Sequence, residues 1–367
     1  MPLTLLQERI SDMTRIDRIA AELKDISHAA LITGDIARQY ATGFKSSAGL
    51  VFITREKSYL IIDGRYYEKA AQQAKGCEVI LLTDARKQLY SIIEEHEIKV
   101  ISIESNTMTV SELEEYKRLF NTLTVDSSGW LSSVIDKMRI VKSSEEIAKI
   151  EAAQRIAEAA FSKLITAIRP GMTEKQVASV LNFYMMDLGA DGISFDTIAA
   201  SGVNSACPHA VPTDKPLANG EFLTLDFGAV VDGYHSDMTR TVVIGKPDEE
   251  MQKIYNAVWG ANTDALKAVR ADITGKLVDN VARSTLDAWG YGEYFTHGLG
   301  HGVGLEIHEP PTLSARSPFT LHEGMVVTIE PGVYIPHKYG VRIEDMVVVT
   351  TDGCLNLTKS PKTLVYI

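Results

Sequence analysis

The sequence predicts an α+β protein in two parts: a smaller α/β domain over residues 1–128 and a larger α+β domain over 145–367, joined by a helical connector over 129–144. Three observations carry this. A chain of 367 residues is longer than most single hydrophobic cores support. Short apolar runs alternate with amphipathic stretches through the first part. Beyond residue 144 the chain repeats itself, because Glu145-Glu146-Ile147-Ala148-Lys149-Ile150 returns as Glu249-Glu250-Met251-Gln252-Lys253-Ile254, an offset of 104.

In order, residues 16–23 read as an amphipathic helix and 28–33 as a strand. Residues 49–54 and 58–63 flank a short polar turn and predict a β-hairpin. Helical patterning over 65–74 is followed by strands at 78–82 and 100–104. A helix over 109–120 carries Ser111 and Glu112 in its first turn. This part has no catalytic spacing and reads as a scaffold or dimerisation module. Residues 130–141 form the connecting helix, because Ser143-Ser144-Glu145-Glu146 then supplies a new N-cap signal.

Each repeat of the second part opens with a long helix. In the first copy Ile147, Ile150, Ala157, Phe161, Leu164 and Ile168 share one face. A second helix follows, with Val177, Val180 and Gly189 matched by Val278, Val281 and Gly290 at an offset of 101. Each copy then reaches an apolar strand ending in a carboxylate, Asp226 in FLTLDFG and Glu330 in MVVTIEPG, again 104 apart. A turn and another strand bring a second carboxylate: Asp237 in YHSDMTRTVVI and Glu344 in VRIEDMVVV.

Between these lies FTHGLGHGVGLEIHE, residues 295–309, with His297, His301 and His308 and glycines at 298, 300, 302 and 304. Four glycines in seven residues oppose a helix and suit an extended segment with one bare face, where a backbone or a ligand comes close. The alternative is a glycine-rich turn with incidental histidines. The spacing is neither HExxH, since the glutamate is absent, nor GxGxxG or a P-loop, since Val303 and Leu305 stand where the third glycine belongs.

Four carboxylates gathered in a core repel and raise one another's pKa values unless they are paired or bound to metal. Arg240 and Arg342 lie near in sequence, but two arginines do not balance four acids. Exposure of all four is the other alternative. A pair of divalent cations would balance them, and oxygen-rich ligation with one imidazole suits Mn²⁺, Co²⁺, Fe²⁺ or Zn²⁺.

Composition bounds the partners. Apolar content of 45% with 23% charged residues is ordinary for a soluble globular protein. The net charge of −11 argues against nucleic acid or an anionic membrane surface. No apolar run approaches the ~18 residues of a membrane span. MPLTLLQER lacks the basic region and apolar length of a signal peptide. Cys77, Cys207 and Cys354 show no metal-like spacing, and a reduced cytoplasmic setting is expected.

LDFG, SDMTRT, HGLGHGVGLEIHE, TIEPG and VRIED, in this order, closely resemble the metal-site motifs of the M24 metallopeptidases. That superfamily includes methionine aminopeptidase, Xaa-Pro aminopeptidase, Xaa-Pro dipeptidase (prolidase) and creatinase. The resemblance covers the whole chain and is strongest from residue 138 onward; the N-terminal part resembles the extra domain of the proline-specific and creatinase branches. It implies a pseudo-twofold "pita-bread" fold for the second part. It implies two divalent ions per subunit, Mn²⁺ first, held by Asp226, Asp237, His301, Glu330 and Glu344. By resemblance Asp226 serves one metal, His301 and Glu330 the other, and Asp237 and Glu344 bridge. Glu330 would also act as general base. His209 and His308 match positions that contact substrate or its tetrahedral intermediate, and His297 one that shapes the pocket. Arg342 is expected to pair with a site carboxylate or contact substrate; His235 and His337 are bystanders. Cys207 departs from the aliphatic residue usual there and is read as a buried small apolar side chain.

The implied activity is hydrolysis of the N-terminal Xaa-Pro bond of small proline-containing peptides by a homodimeric aminopeptidase, with Xaa-Pro dipeptidase as the alternative. Creatinase chemistry is disfavoured by the intact ligands, methionine aminopeptidase by the extra domain, and a non-catalytic binding protein by retention of all five.

Overall fold

The structure, a computed structural model, describes residues 13–367. The N-terminal residues read above for a leader lie outside the described residues. The chain divides into two compact units, Met1–Arg139 and Ile140–Ile367.

In the first unit, helix α1 (Arg15–Glu22) begins with a capping box between Thr14 and Asp17. It leads into β1 (His28–Ile32), α2 (Asp35–Thr42), β2 (Leu50–Ile53) and β3 (Ser58–Ile62). Then come α3 (Tyr67–Gln73), β4 (Glu78–Leu81), α4 (Ala85–Glu95), β5 (Val100–Ile103), α5 (Val110–Leu119) and β6 (Thr124–Asp126). The strands form one mixed sheet in the order β4-β3-β2-β1-β5-β6, and the expected hairpin is β2–β3, closing at Ile53 opposite Ser58. Leu31, Phe52 and Ile61 pack with Leu89, Ile92 and Phe120 as its core. Helices α2 and α4 and strand β6 depart from the pattern read in the sequence. In α2 the reason is Arg38, whose buried guanidinium bonds Thr33 O, Ser46 O and Gly49 O and so breaks the apolar stripe. Helix α6 (Trp130–Ile140) closes this part.

The second unit shows the repeat as structure. Helices α7 (Ser144–Ala167) and α8 (Glu174–Asp187) precede β7 (Gly192–Ile193), β8 (Ile198–Ser201), β9 (Glu221–Phe227), β10 (Ala229–Val231), β11 (Tyr234–His235) and β12 (Met238–Ile244). Helices α9 (Glu249–Ala268) and α10 (Gly275–Ala288) precede β13 (Gly300–Gly302), β14 (Glu309–Leu313), β15 (Val326–Ile329), β16 (Gly332–Ile335), β17 (Tyr339–Arg342), β18 (Asp345–Val349) and β19 (Cys354–Asn356). The matched positions do matched work. Thr173 and Thr274 cap α8 and α10, and Gly189 and Gly290 follow those helices at φ 97° and 82°, where a Cβ would be strained.

Each repeat has its own core. Phe161, Leu164, Val177 and Leu181 pack on Leu223, Leu225 and Val242; Ile254, Val258, Val278 and Leu286 pack on Val327, Ile329 and Val347. Strand alternation then turns Thr224 and Asp226, and likewise Thr328 and Glu330, away from the helices. Two polar strand faces, one from the sheet of each repeat and each opposite its own apolar helix layer, are where the site forms.

Candidate metal centre

Asp226 lies near the end of β9 and Asp237 immediately precedes β12, with Phe227 paired to Met238. Glu330 follows β15 and Glu344 precedes β18, with Ile329 paired to Asp345. The pairing register therefore brings both carboxylates of each repeat to the same sheet end. His301, central in β13, joins them. All five line one cleft of about 800 Å³ together with His209, His297, His308 and Arg342.

The glycine segment is less extended than expected: only residues 300–302 form a strand, and the register shifts between His301 and Gly302. Its bare face meets backbone. A Cβ at Gly300 would stand 2.0 Å from Thr328 O, and one at Gly302 would stand 2.3 Å from Pro310 O. These glycines let β13 sit tightly between its neighbours and hold His301 at the carboxylates.

His301 Nδ1 donates to Gly302 O at 3.0 Å, so the neutral ring keeps its lone pair on Nε2. That atom stands 3.6 Å from Asp237 Oδ2 and 3.5 Å from Glu330 Oε1, and ligand atoms of Asp237, His301 and Glu344 lie within 4.8 Å of one another. Burial pushes the imidazole down to about 4. Burial, then repulsion from neighbouring carboxylates, raises Asp237 and Glu344 well above the carboxylate range; burial pushes Glu330 up to about 8. Asp237 and Glu344 are 4% and 1% exposed, which rules out strands that merely display their acids to solvent.

The counter-charge is one guanidinium. Arg342 Nη2 donates to Asp226 Oδ2 at 2.6 Å, so of the two expectations for Arg342 the carboxylate contact is the one present. Arg240 reaches none of the four carboxylates: it pairs with Asp345 and donates to the backbone carbonyls of Thr239, Glu344, Ser360 and Pro361. Asp226 Oδ1 and Glu344 Oε1 are buried with no hydrogen-bond partner. Orphaned buried carboxyl oxygens cost free energy that a bound cation would recover. Four carboxylates and an imidazole nitrogen, without thiolate, fit borderline first-row divalent ions.

Three residues unremarked in the sequence complete the site. Thr239 Oγ1 donates to Glu344 Oε2 at 2.8 Å and accepts from Arg342 Nε at 3.0 Å. Thr328 Oγ1 accepts from His301 N and donates to Glu330 Oε1 at 3.3 Å. Tyr334 OH accepts from Arg342 Nη1 at 2.7 Å and donates to His297 Nε2 at 2.9 Å, while His297 Nδ1 donates to Gly298 O. Both nitrogens of His297 are thus occupied, and burial pushes it down to about 4. It offers the cleft ring carbons. The His308 ring lies 4.4 Å from that of His301, edge to face, and His308 and His209 are both solvent-exposed on the cleft wall. Cys207 is a correction: it is exposed at the end of the short turn Gly202–Ala206, because the turn directs it outward instead of into the core.

Residues 148–351 match the family model for metallopeptidase family M24, and residues 15–141 match that for the creatinase/prolidase N-terminal domain. A protein named Xaa-Pro dipeptidase from Pyrococcus horikoshii is 39% identical over 345 residues, covering 93% of this chain and 95% of that protein. The solved structure of an Xaa-Pro dipeptidase from Bacillus anthracis superimposes with a TM-score of 0.91 at 38% identity, covering 96% and 99% of the two chains. That of an X-Pro aminopeptidase from Thermotoga maritima gives 0.90 at 37% identity, covering 96% and 100%.

Proposed function

Because the chain belongs to the M24 metallopeptidase family, with the pita-bread fold and the creatinase/prolidase N-terminal domain, we propose that it hydrolyses the Xaa-Pro bond of dipeptides. This moves the preference from the aminopeptidase expected above to its dipeptidase alternative, since relatives similar along nearly their whole length carry that name. The observation that carries the reading is the convergence of four carboxylates and His301 Nε2 around orphaned oxygens, with one guanidinium to oppose them.

Asp226, Asp237, His301, Glu330 and Glu344 would hold two divalent cations, Mn²⁺ first. When bound, such a pair supplies a water of lowered pKa and polarisation of the scissile carbonyl. Glu330 takes the proton from the attacking water, with Thr328 orienting its Oε1, and passes it to the proline nitrogen as the C–N bond breaks. That nitrogen belongs to a tertiary amide without N–H, in a ring that fixes φ, so peptidases that bind the N–H fail on this bond. His308, whose imidazole partial desolvation in the cleft wall holds below its ordinary value, and His209 face the substrate and can donate to oxygen as charge develops there. His297, locked by Tyr334, bounds the space for the ring. Arg342 holds Asp226 and bears on substrate through it.

A second reading, removal of the first residue from Xaa-Pro-Yaa peptides, is favoured by the similarity to the T. maritima enzyme and by a cleft of about 800 Å³. Rates on matched Xaa-Pro and Xaa-Pro-Yaa substrates, with Mn²⁺, Co²⁺ or Zn²⁺ added to metal-free protein, decide. The dipeptidase reading expects the dipeptide to be the better substrate by kcat/KM; faster cleavage of the tripeptide overturns it. A homodimer is the expected assembly, and a monomer in sedimentation velocity would contradict it.

A further inference from the structure

The loop carrying His209, residues 202–213, leaves β8 and lines the cleft through Pro208, His209, Val211 and Pro212. Its regular structure is limited to the turn Gly202–Ala206. That turn is held by Ser205, whose Oγ donates to Gly202 O at 2.6 Å and accepts from Gly340 N at 2.9 Å, whereas the stretch 208–212 that carries His209 has no regular structure to fix its position.

Its neck closes on one carboxylate. Glu174, the first residue of α8, is 0% exposed. Its Oε1 accepts from Ser201 N at 2.7 Å and Ser201 Oγ at 2.8 Å. Its Oε2 accepts from Thr213 N at 3.0 Å and Thr213 Oγ1 at 2.6 Å. Asn204 Nδ2 stands 3.1 Å from both oxygens. One buried group thus ties residues 201, 204 and 213 across the base of the loop.

Glu174 is not needed to cap its own helix, because Thr173 and Gln176 form that capping box. Burial opposes its ionisation, but hydrogen bonds from Thr213 and Ser201 outweigh it and hold the carboxyl below its ordinary value. Its place in the first helical turn favours the anion further. The loop's middle meets the metal centre separately, through Arg342 Nη1 and Pro208 O at 3.3 Å, one residue before His209.

We propose that Glu174 is a positioning residue whose carboxylate closes the neck of the 202–213 loop and sets where His209 stands in the cleft. This rests on the substrate-facing reading of His209 given above. Glu174→Gln keeps the side chain's size but turns an NH₂ toward donors at one end of the neck. Measured on the metal-loaded enzyme, it should lower kcat/KM by about 10- to 100-fold, as displacement of a cleft group by about 1 Å does. Bound metal should be unchanged, and amide hydrogen exchange should quicken over 201–213 alone. In a His209→Ala background the same substitution should change kcat/KM by less than about 3-fold, because a residue acting through His209 has nothing left to position. An equal loss in both backgrounds, or exchange over 201–213 no faster than in the parent, overturns the proposal. If His209→Ala alone leaves kcat/KM unaltered, the role given to His209 fails, and the exchange measurement by itself decides whether Glu174 closes the loop. Thr213→Val, which removes one hydroxyl at the far end of the neck, carries the same comparison if Glu174→Gln does not fold.

Discussion

Glu330 is asked to hold a metal and to carry a proton, and the two duties separate under substitution. Glu330→Gln keeps an oxygen ligand but cannot accept the proton, so kcat should fall by about 10²–10⁴-fold while much of the metal is retained; a kcat within a few-fold of the parent, in a protein shown to be metal-loaded, would exclude Glu330 as the base. Thr239 acts one step further out. Its hydroxyl orients Glu344 and receives Arg342, so Thr239→Val should weaken metal affinity by about 10- to 100-fold. A calorimetric titration reads this directly, and an unchanged affinity would place Thr239 outside the centre. The carboxylates and His301 were legible in the sequence because each sits in a local motif. Tyr334 and Thr239 were not, since their roles come from partners up to 105 residues away that only pairing of the strands brings together.

At the scale of elements, the site is the meeting of two copies of one unit: two helices backing a strand pair whose polar face carries two acids. The repeat was readable because Val177, Gly189 and Asp226 each have a counterpart about a hundred residues on. The hidden elements were those stabilised by inward-pointing polar groups. Helix α2 wraps a buried Arg38; α10, by contrast, was readable as a helix, and only its use of Asp279 and Arg283 to grip the backbone ahead of His301, through Phe295 O, His297 O and Leu299 N, was not. The glycine pattern was read as close approach of a backbone or a ligand, and at Gly300 and Gly302 the neighbour is backbone. Gly300→Ala should therefore force β13 from β15, costing about 1–3 kcal/mol and displacing His301. Thermal unfolding with and without added metal checks this; a variant as stable as the parent that binds metal equally well would contradict the packing described.

Across the whole molecule the excess negative charge of the centre couples fold, metal and pH. Asp237, Glu330 and Glu344 hold protons in the folded metal-free protein more tightly than unfolded carboxylates do, Glu330 up to about 8. Folded-state values above the unfolded ones mean the metal-free protein gains protons on folding, so its stability declines as pH rises from about 4.5 toward 8. A cation that displaces those protons binds more tightly over the same window. The rise in Tm on adding Mn²⁺ should accordingly grow between pH 5.5 and 8, and a rise independent of pH would contradict the assignment. The most direct test of the central claim follows metal and chemistry together: metal-stripped protein is titrated with Mn²⁺ while hydrolysis of an Xaa-Pro dipeptide is recorded. The account predicts uptake of two ions per chain with activity appearing as they bind; full hydrolysis by the stripped protein, or no uptake at the cluster of Asp226, Asp237, His301, Glu330 and Glu344, would contradict it.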